Sequence, residues 1–391
     1  MKLIYILIFF GLVSCSEPEP IIRKIESPVQ ESSGEPSFFK VSRSETGLSW
    51  LEKEGDEIAL KYAILKSDNW SHEKTIVRDK KIVANWADFP GIAVQGEHWL
   101  AWYLQLSNPE TFAYDVMITQ SSNAGSTWSA PQKLHNDTTQ TEHGFVSAVP
   151  AEGGFQLIWL DGRNSGGGHG AGAMNLRAAF VGFDGVISSR LLLDDRTCDC
   201  CQTALVSVDE TESVAFYRDR SEKEVRDIKA IRLVDEGDLF NPLTIYDDNW
   251  KIEGCPVNGP RAMMSGKELA VAWFTIGEDE IEKVKIAFSS DGDNFSVPVL
   301  IDTANLGRID LLVRNNNYYV SYLDRETDKT SIKIAELKDR VIMNIFSIAD
   351  VSPSRKTGFP RIVNVKDGIM IAYTNAGDDK IEIRKLKLID N

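Results

Sequence analysis

Basic charge is the first thing this sequence has too little of. Its 43 lysines and arginines stand against 58 aspartates and glutamates, a formal charge of −15. Nucleic acid and anionic membrane surfaces are met by a basic stripe, so neither is an expected partner. Long helical periodicity is missing as well, which excludes a helical bundle. The one sustained apolar run, Leu3 to Val13, is shorter than the ~20 residues of a transmembrane helix. Cysteine is scarce, at five residues. Apolar residues are plentiful, at 42% with 9% aromatic, enough for a large buried core. That excludes disordered and collagen-like chains. The length alone suggests two or three domains, although closed β architectures of this size often form one.

Residues 1–15 read as a targeting segment. Lys2 supplies the positive start, and Leu12-Val13-Ser14-Cys15 ends the apolar run. This resembles a bacterial lipoprotein signal with its lipobox. The resemblance makes Cys15 the lipidated first residue of an extracytoplasmic protein, anchored to the outer membrane or cell surface by its lipid alone. Residues 16–36 are rich in Pro, Ser and Glu and read as a tether. Residues 37–391 are expected to form a single domain.

What recurs along that domain is a short apolar-aromatic strand. Its centres are Trp50, Trp102, Trp159, Phe216, Trp273, Tyr322 and Tyr373, spaced 49 to 57 residues apart. A strand-rich repeat of about fifty residues is the mark of a β-propeller, here all-β with seven four-stranded blades. The strands are lettered A to D from the axis outward, with the aromatic strand as B. The last repeat ends without a D strand. Either Ile21–Ile25 or Phe38–Val41 is available to close the ring.

A second signature falls between strands C and D. Ser121-Ser122-Asn123-Ala124-Gly125-Ser126-Thr127-Trp128 and Ser289-Ser290-Asp291-Gly292-Asp293-Asn294-Phe295 resemble the Asp-box of sialidase-like propellers. Ser67-Asp68-Asn69-Trp70 is a weaker third. Such a turn is structural: a short polar side chain bonds backbone N–H groups, and the aromatic plugs between blades. The sialidase family itself has six blades, so six remains the alternative count.

Strands in a blade alternate in direction, which gathers the D–A and B–C connections on one face. The Gly-rich and polar loops fall there, among them 85–91, 141–145, 161–172, 194–203, 218–227 and 250–261. Arg261, Arg308 and Arg361 each stand where a D–A loop enters strand A, which lines the axis. Three converging guanidinium groups suit a carboxylate. Sialidases resemble this, holding the sialic acid carboxylate with three arginines; the other reading pairs each arginine with a loop carboxylate.

The resemblance implies a glycoside hydrolase acting on an anionic sugar, without cofactor or metal, as a monomer. It calls for an acid/base carboxylate and a tyrosine nucleophile with a glutamate activator. Asp88 is the acid/base candidate, Glu253 the activator, and Tyr246 the first-ranked phenol before Tyr217 and Tyr373. No Tyr–Glu pair is recognisable, so a non-catalytic glycan- or protein-binding propeller is the competing reading. His143, Arg163 and His169 lie on the same face. So do Arg218 and Arg220, in a run of alternating charge that reads as a solvated, salt-bridged hairpin. Trp86, Trp99 and Trp250 are either sugar platforms or core plugs.

Four cysteines remain beyond Cys15. Cys198, Cys200 and Cys201 share one D–A loop and Cys255 lies in the next. Read as a CxCC run, the loop lacks the spacing usual at zinc sites. Disulfides are therefore favoured, with a thiolate metal or redox site as the alternative.

Overall fold

The computed structural model describes residues 21–388 except 112, 167–171, 210, 235–240 and 327–328. Cys15 and His169 therefore lie outside the described residues. The chain forms seven antiparallel sheets in sequence around an axis. Blade 1 is Ser33–Lys40, Thr46–Glu54 and Glu57–Lys66, with an outer edge split between Asn69–Trp70 and Lys74–Asp79. Blade 2 is Gly91–Gln95, His98–Asn108, Ala113–Ser121 and Gln132–Lys133. Blade 3 is His143–Ala151, Gly154–Asp161, Met174–Gly182 and Ile187–Thr197. Blade 4 is Ala204–Ser207, Glu212–Arg218, Ile228–Val234 and Leu243–Thr244. Blade 5 is Arg261–Ser265, Glu268–Thr275, Lys283–Ser289 and Val299–Thr303. Blade 6 is Asn305–Arg314, Asn317–Arg325, Thr330–Lys338 and Val341–Val351. Blade 7 takes Arg361–Val365, Gly368–Asn375 and Lys380–Lys387 from the end of the chain.

Its fourth strand is Ile21–Ile25, paired antiparallel to Lys380–Lys387 in continuous register from Ile21–Lys387 to Ile25–Ile383. The ring is thus closed by joining the two ends of the chain, and seven blades replace the six-bladed alternative. The tether expected over 16–36 gives way at Ile21. Phe38–Val41 belongs instead to the region of the inner strand of blade 1.

Each second strand is sandwiched between its own sheet and the neighbouring blade. It therefore reads as a near-continuous apolar run rather than an alternating one. Trp50, Trp159, Phe216, Trp273 and Tyr322 are all fully buried. The indole and phenol tips need partners in that setting. Trp50 Nε1 donates to Glu52 at 3.0 Å, Trp159 Nε1 to Asp161 at 3.0 Å and Trp273 Nε1 to Asp248 at 2.6 Å. Tyr217, Tyr322 and Tyr373 donate to Asp194, Asp302 and Glu382. Opposite Trp50, Trp159, Tyr217, Trp273 and Tyr322, strand C presents Lys61, Arg177, Lys229, Lys285 and Lys333. The four lysines each pair with a nearby acid. An aromatic tip, a carboxylate and a cation therefore recur from blade to blade.

The Asp-box turns behave as local clasps. Asn123 Oδ1 accepts from the Thr127 amide and Ser121 Oγ from the Gly125 amide, while Trp128 packs edge-on to Tyr62 and Trp99. Asp291 Oδ1 accepts from the Asp293 and Asn294 amides, and Phe295 packs edge-on to Phe216.

Candidate functional site

Strand direction brings the Gly-rich and charged loops onto one face, as the repeat pattern implies. At its centre, Arg261 and Arg361, the first residues of two inner strands, converge on Asp310. Their Nε atoms lie 3.4 and 3.5 Å from its carboxylate oxygens. Both guanidinium carbons also lie over the Phe89 ring, at 5.7 and 5.0 Å. Asp310 accepts from the Ile362 amide at 2.9 Å. Burial pushes its carboxyl up and the Arg261 guanidinium down, and the Arg261–Asp310 attraction opposes both shifts. Even so, Arg261 Nη2 and Arg361 Nη1 are buried without a hydrogen-bond partner.

Arg308 does not join them. Its backbone has φ of 54° at an irregularity where the pairing skips from Gly307 to Asp310. The Arg308 amide donates to Asn258 Oδ1 at 2.7 Å. Its guanidinium donates to the carbonyls of Pro353, Ser354 and Gly358 and lies 4.9 Å above Trp86. Burial, with Arg355 nearby, lowers its pKa to about 10. The expected three-arginine clamp is thus a two-arginine cluster, already holding one carboxylate, with the third guanidinium committed to loop carbonyls.

The loop Asn85–Pro90 covers the centre. Trp86 stacks on Phe359 at 5.9 Å, and Phe89 and Phe359 are 5.7 Å apart. Asp88 turns inward. Its Oδ1 accepts from the Phe145 amide at 2.8 Å and its Oδ2 is buried without a partner. A Cβ on Gly144 would stand 1.8 Å from that oxygen, so only glycine fits there. Burial pushes the Asp88 carboxyl up to about 8, with the Glu142 charge adding to the rise. Burial thus favours its protonated, neutral form.

Beside it, Tyr114 donates to Glu142 at 3.2 Å. This Tyr–Glu pair was not visible from spacing, because its members come from a strand start in blade 2 and the loop entering blade 3. Burial, then the charges of Asp88 and Glu142, raise the Tyr114 phenol well above its ordinary range. The other candidates lie elsewhere. Tyr246 is exposed with Lys285 4.7 Å from its ring, and Glu253 is exposed. Tyr217 and Tyr373 belong to the recurring blade pattern, and their phenols are raised, chiefly by burial.

His143 is fully buried and stacks on His135, with Nε2 3.0 Å from Asp137 and Nδ1 3.3 Å from the Tyr114 carbonyl. Arg163 holds Asp161 through Nε at 2.6 Å and Nη2 at 2.9 Å. Imidazole lone pairs lie in the ring plane, and these two planes are stacked within 5° of parallel, so His135 and His143 do not converge on a single ion. Trp99 and Trp250 are buried plugs.

The charged run 218–227 is salt-bridged, with an exposed tip at Glu222 and Lys223 but buried flanks, which corrects part of the sequence reading. Arg218, Arg220, Arg226, Asp219 and Asp227 are all buried. Arg218 donates to the carbonyls of Asn258, Arg226 and Phe274 at 2.9, 2.6 and 2.6 Å and lies 4.8 Å above Trp250. Arg220 pairs with Asp199 and Glu224. A run of alternating charge looks exposed only while the blade packed over it is unknown.

Among the described residues, no disulfide joins Cys198, Cys200 and Cys201 to one another, where the sequence reading favoured disulfides. Cys198 and Cys201, three residues apart, do stand at CxxC spacing, and their sulfurs are 3.1 Å apart.

No protein-family model and no curated protein matches this chain. Solved structures do match in fold. One is the phage phi92 endosialidase, with a TM-score of 0.52 and 10% identity over 95% of this chain and 70% of that one. Another is the GH93 α-L-arabinofuranosidase of Fusarium graminearum, with a TM-score of 0.50 and 12% identity over 82% of this chain and 98% of that one. The fold is one that glycoside hydrolases share.

Proposed function

We propose that this protein is an envelope-anchored, glycosidase-like propeller that takes a carboxylate-bearing sugar at the centre of its loop face. Arg261 and Arg361 receive the carboxylate and Asp88 supplies the proton for glycosidic cleavage. The observation that carries this reading is that three atoms on this face are buried and unpartnered: Arg261 Nη2, Arg361 Nη1 and Asp88 Oδ2. Each such group costs roughly 1–3 kcal/mol until a partner satisfies it. A sugar carboxylate and a glycosidic oxygen are partners of the right chemistry. The Asn85–Pro90 loop then has to lift to admit them.

A second reading, binding without turnover, is favoured by the raised phenols of Tyr114, Tyr217 and Tyr373. None is poised to attack as a phenolate. The test uses fluorogenic sialosides and uronides together with calorimetric binding of the free acids. Turnover lost in R361A and D88N supports the hydrolase, and binding without turnover supports the second reading. Turnover that survives R361A, or no binding at all, sinks the site.

A further inference from the structure

Two neighbouring loops on the same face bring four cysteines together, and the arrangement is built rather than incidental. Cys198, Cys200 and Cys201 belong to the loop between blades 3 and 4. Their sulfurs all lie within 4.8 Å of one another. Cys198 Sγ is the hub, 3.1 Å from Cys201 Sγ and 3.9 Å from Cys200 Sγ. Cys255, from the loop between blades 4 and 5, is within hydrogen-bond reach of Cys200. Cys198 and Cys201 are buried, Cys200 is half-buried and Cys255 faces solvent.

The loop that holds these sulfurs together is pinned on both sides. The Cys198 amide donates to the Arg218 carbonyl at 3.0 Å, and Thr197 Oγ1 donates to the Met174 carbonyl at 3.1 Å. Asp199, the residue between the cysteines, is turned aside. Its Oδ1 accepts from the Met174 amide at 2.9 Å and its Oδ2 from Arg220 at 2.8 Å. Gln202 donates to the Ala87 carbonyl and accepts from the Gly259 amide, clamping the loop on its far side.

Two features separate coordination from disulfide bonding. In a disulfide each sulfur has one partner, whereas here Cys198 and Cys200 each have more than one sulfur neighbour. A tetrahedral zinc thiolate with Zn–S near 2.3 Å has S···S edges of about 3.8 Å, a value that the 3.1 and 3.9 Å separations bracket. The second feature is charge. Arg226 Nη1 donates to Cys198 Sγ at 3.2 Å from a buried position. A thiolate is a fitting acceptor for a buried guanidinium, and a neutral disulfide sulfur is a poor one.

We propose that Cys198, Cys200, Cys201 and Cys255 form a thiolate site for one thiophilic d10 cation, Zn²⁺ or Cu(I). Three ligands come from one loop and the fourth from the next, so the ion staples blades 3, 4 and 5 beside the aromatic cluster to which Cys200 and Val257 belong. Binding requires the remaining thiols to ionise, so loading releases protons to solvent and leaves every sulfur reduced. The site does not depend on the sugar reading.

The test uses the full chain, purified anaerobically with reductant and titrated separately with Zn²⁺, Cu(I) and, as a spectroscopic probe, Co²⁺. About one equivalent of Zn²⁺ or Cu(I) is expected, held against a chromophoric chelator; the chelator that fails to remove it distinguishes the two ions. Cobalt is expected to give sulfur-to-metal charge-transfer and tetrahedral ligand-field bands. C198S should abolish binding. C255S, altered at an exposed position, should fold and bind at least about tenfold more weakly, which keeps the proposal open to refutation if C198S does not fold. Substoichiometric uptake of all three ions by folded, reduced protein would overturn it. Undiminished affinity in C255S would remove Cys255 and overturn the four-ligand site.

Discussion

His135 and His143 lie face to face, with ring centroids 3.7 Å apart and planes within 5° of parallel. Burial, and then the proximity of His135, lowers the His143 pKa despite Asp137 and Asp161 nearby. Asp115, Lys133 and Arg163 complete the surroundings. Unfolded histidine takes up a proton near pH 6.5, before the folded His143 does. The unfolded state therefore binds more protons on acidification, and stability is lost as pH falls from about 6.5. Urea midpoints between pH 7.5 and 5.5 should fall in the wild type and fall less in H143Q. Parallel curves would refute the assignment.

Asp310 is the buried counter-charge for two half-buried arginines. Asp310→Asn keeps an acceptor for the Ile362 amide but strips Arg261 and Arg361 of their anion. Breaking a buried pair in this way costs about 3–5 kcal/mol. Chemical denaturation should show that loss, and a saturating carboxylate ligand should restore part of it if the funnel binds one.

Arg218 is a pin between blades 4 and 5. Arg218→Lys keeps the charge but replaces a planar fork with a single ammonium that does not reach three diverging carbonyls. With about 1–3 kcal/mol at stake for each unsatisfied buried group, a loss of about 2–4 kcal/mol is expected in denaturant unfolding. A neutral result would mean that water fills the gap.

The closing strand is a test of ring integrity. Ile22 and Ile25 are partly buried against the cores of blades 6, 7 and 1. Replacing both with aspartate should cost about 2–4 kcal/mol, from lost apolar burial and weakened pairing to Lys380–Lys387. Hydrogen exchange should rise along Lys380–Lys387 first. Uniform exchange changes throughout the ring would contradict a local seam.

Much of the scaffold was legible in the sequence. The aromatic at the centre of each second strand recurs because a double-sided core position wants a large, flat side chain. The seven centres therefore counted the blades. Ile21–Ile25 was one of two strands available for closure, and composition pointed the other way because an outermost strand is half exposed and tolerates Arg and Lys.

The site was less legible. Arg261 and Arg361 sit where strand entry placed them. Arg308 does not, because the irregularity between Gly307 and Asp310 re-aims the side chains and puts Asp310 on the axis. Such irregularities leave no mark in apolar periodicity. The Tyr114–Glu142 pair spans two elements whose approach depends on blade packing. The burial of Arg218 and Arg226 depends on which blade covers them, information that a local run of charges does not contain.

The Gln202 side chain reaches the Ala87 carbonyl on one side and the Gly259 amide on the other. One of those groups belongs to the loop that roofs the funnel, and the residue before Gln202 is a cysteine of the thiol cluster. Lifting the roof therefore means releasing the amide that also fixes the thiol loop. If this face takes a ligand and the cysteines take an ion, as proposed, the two events are kinetically linked: an ion that stiffens the thiol loop is expected to slow opening, lowering the ligand's association and dissociation rates together while leaving its equilibrium affinity nearly unchanged.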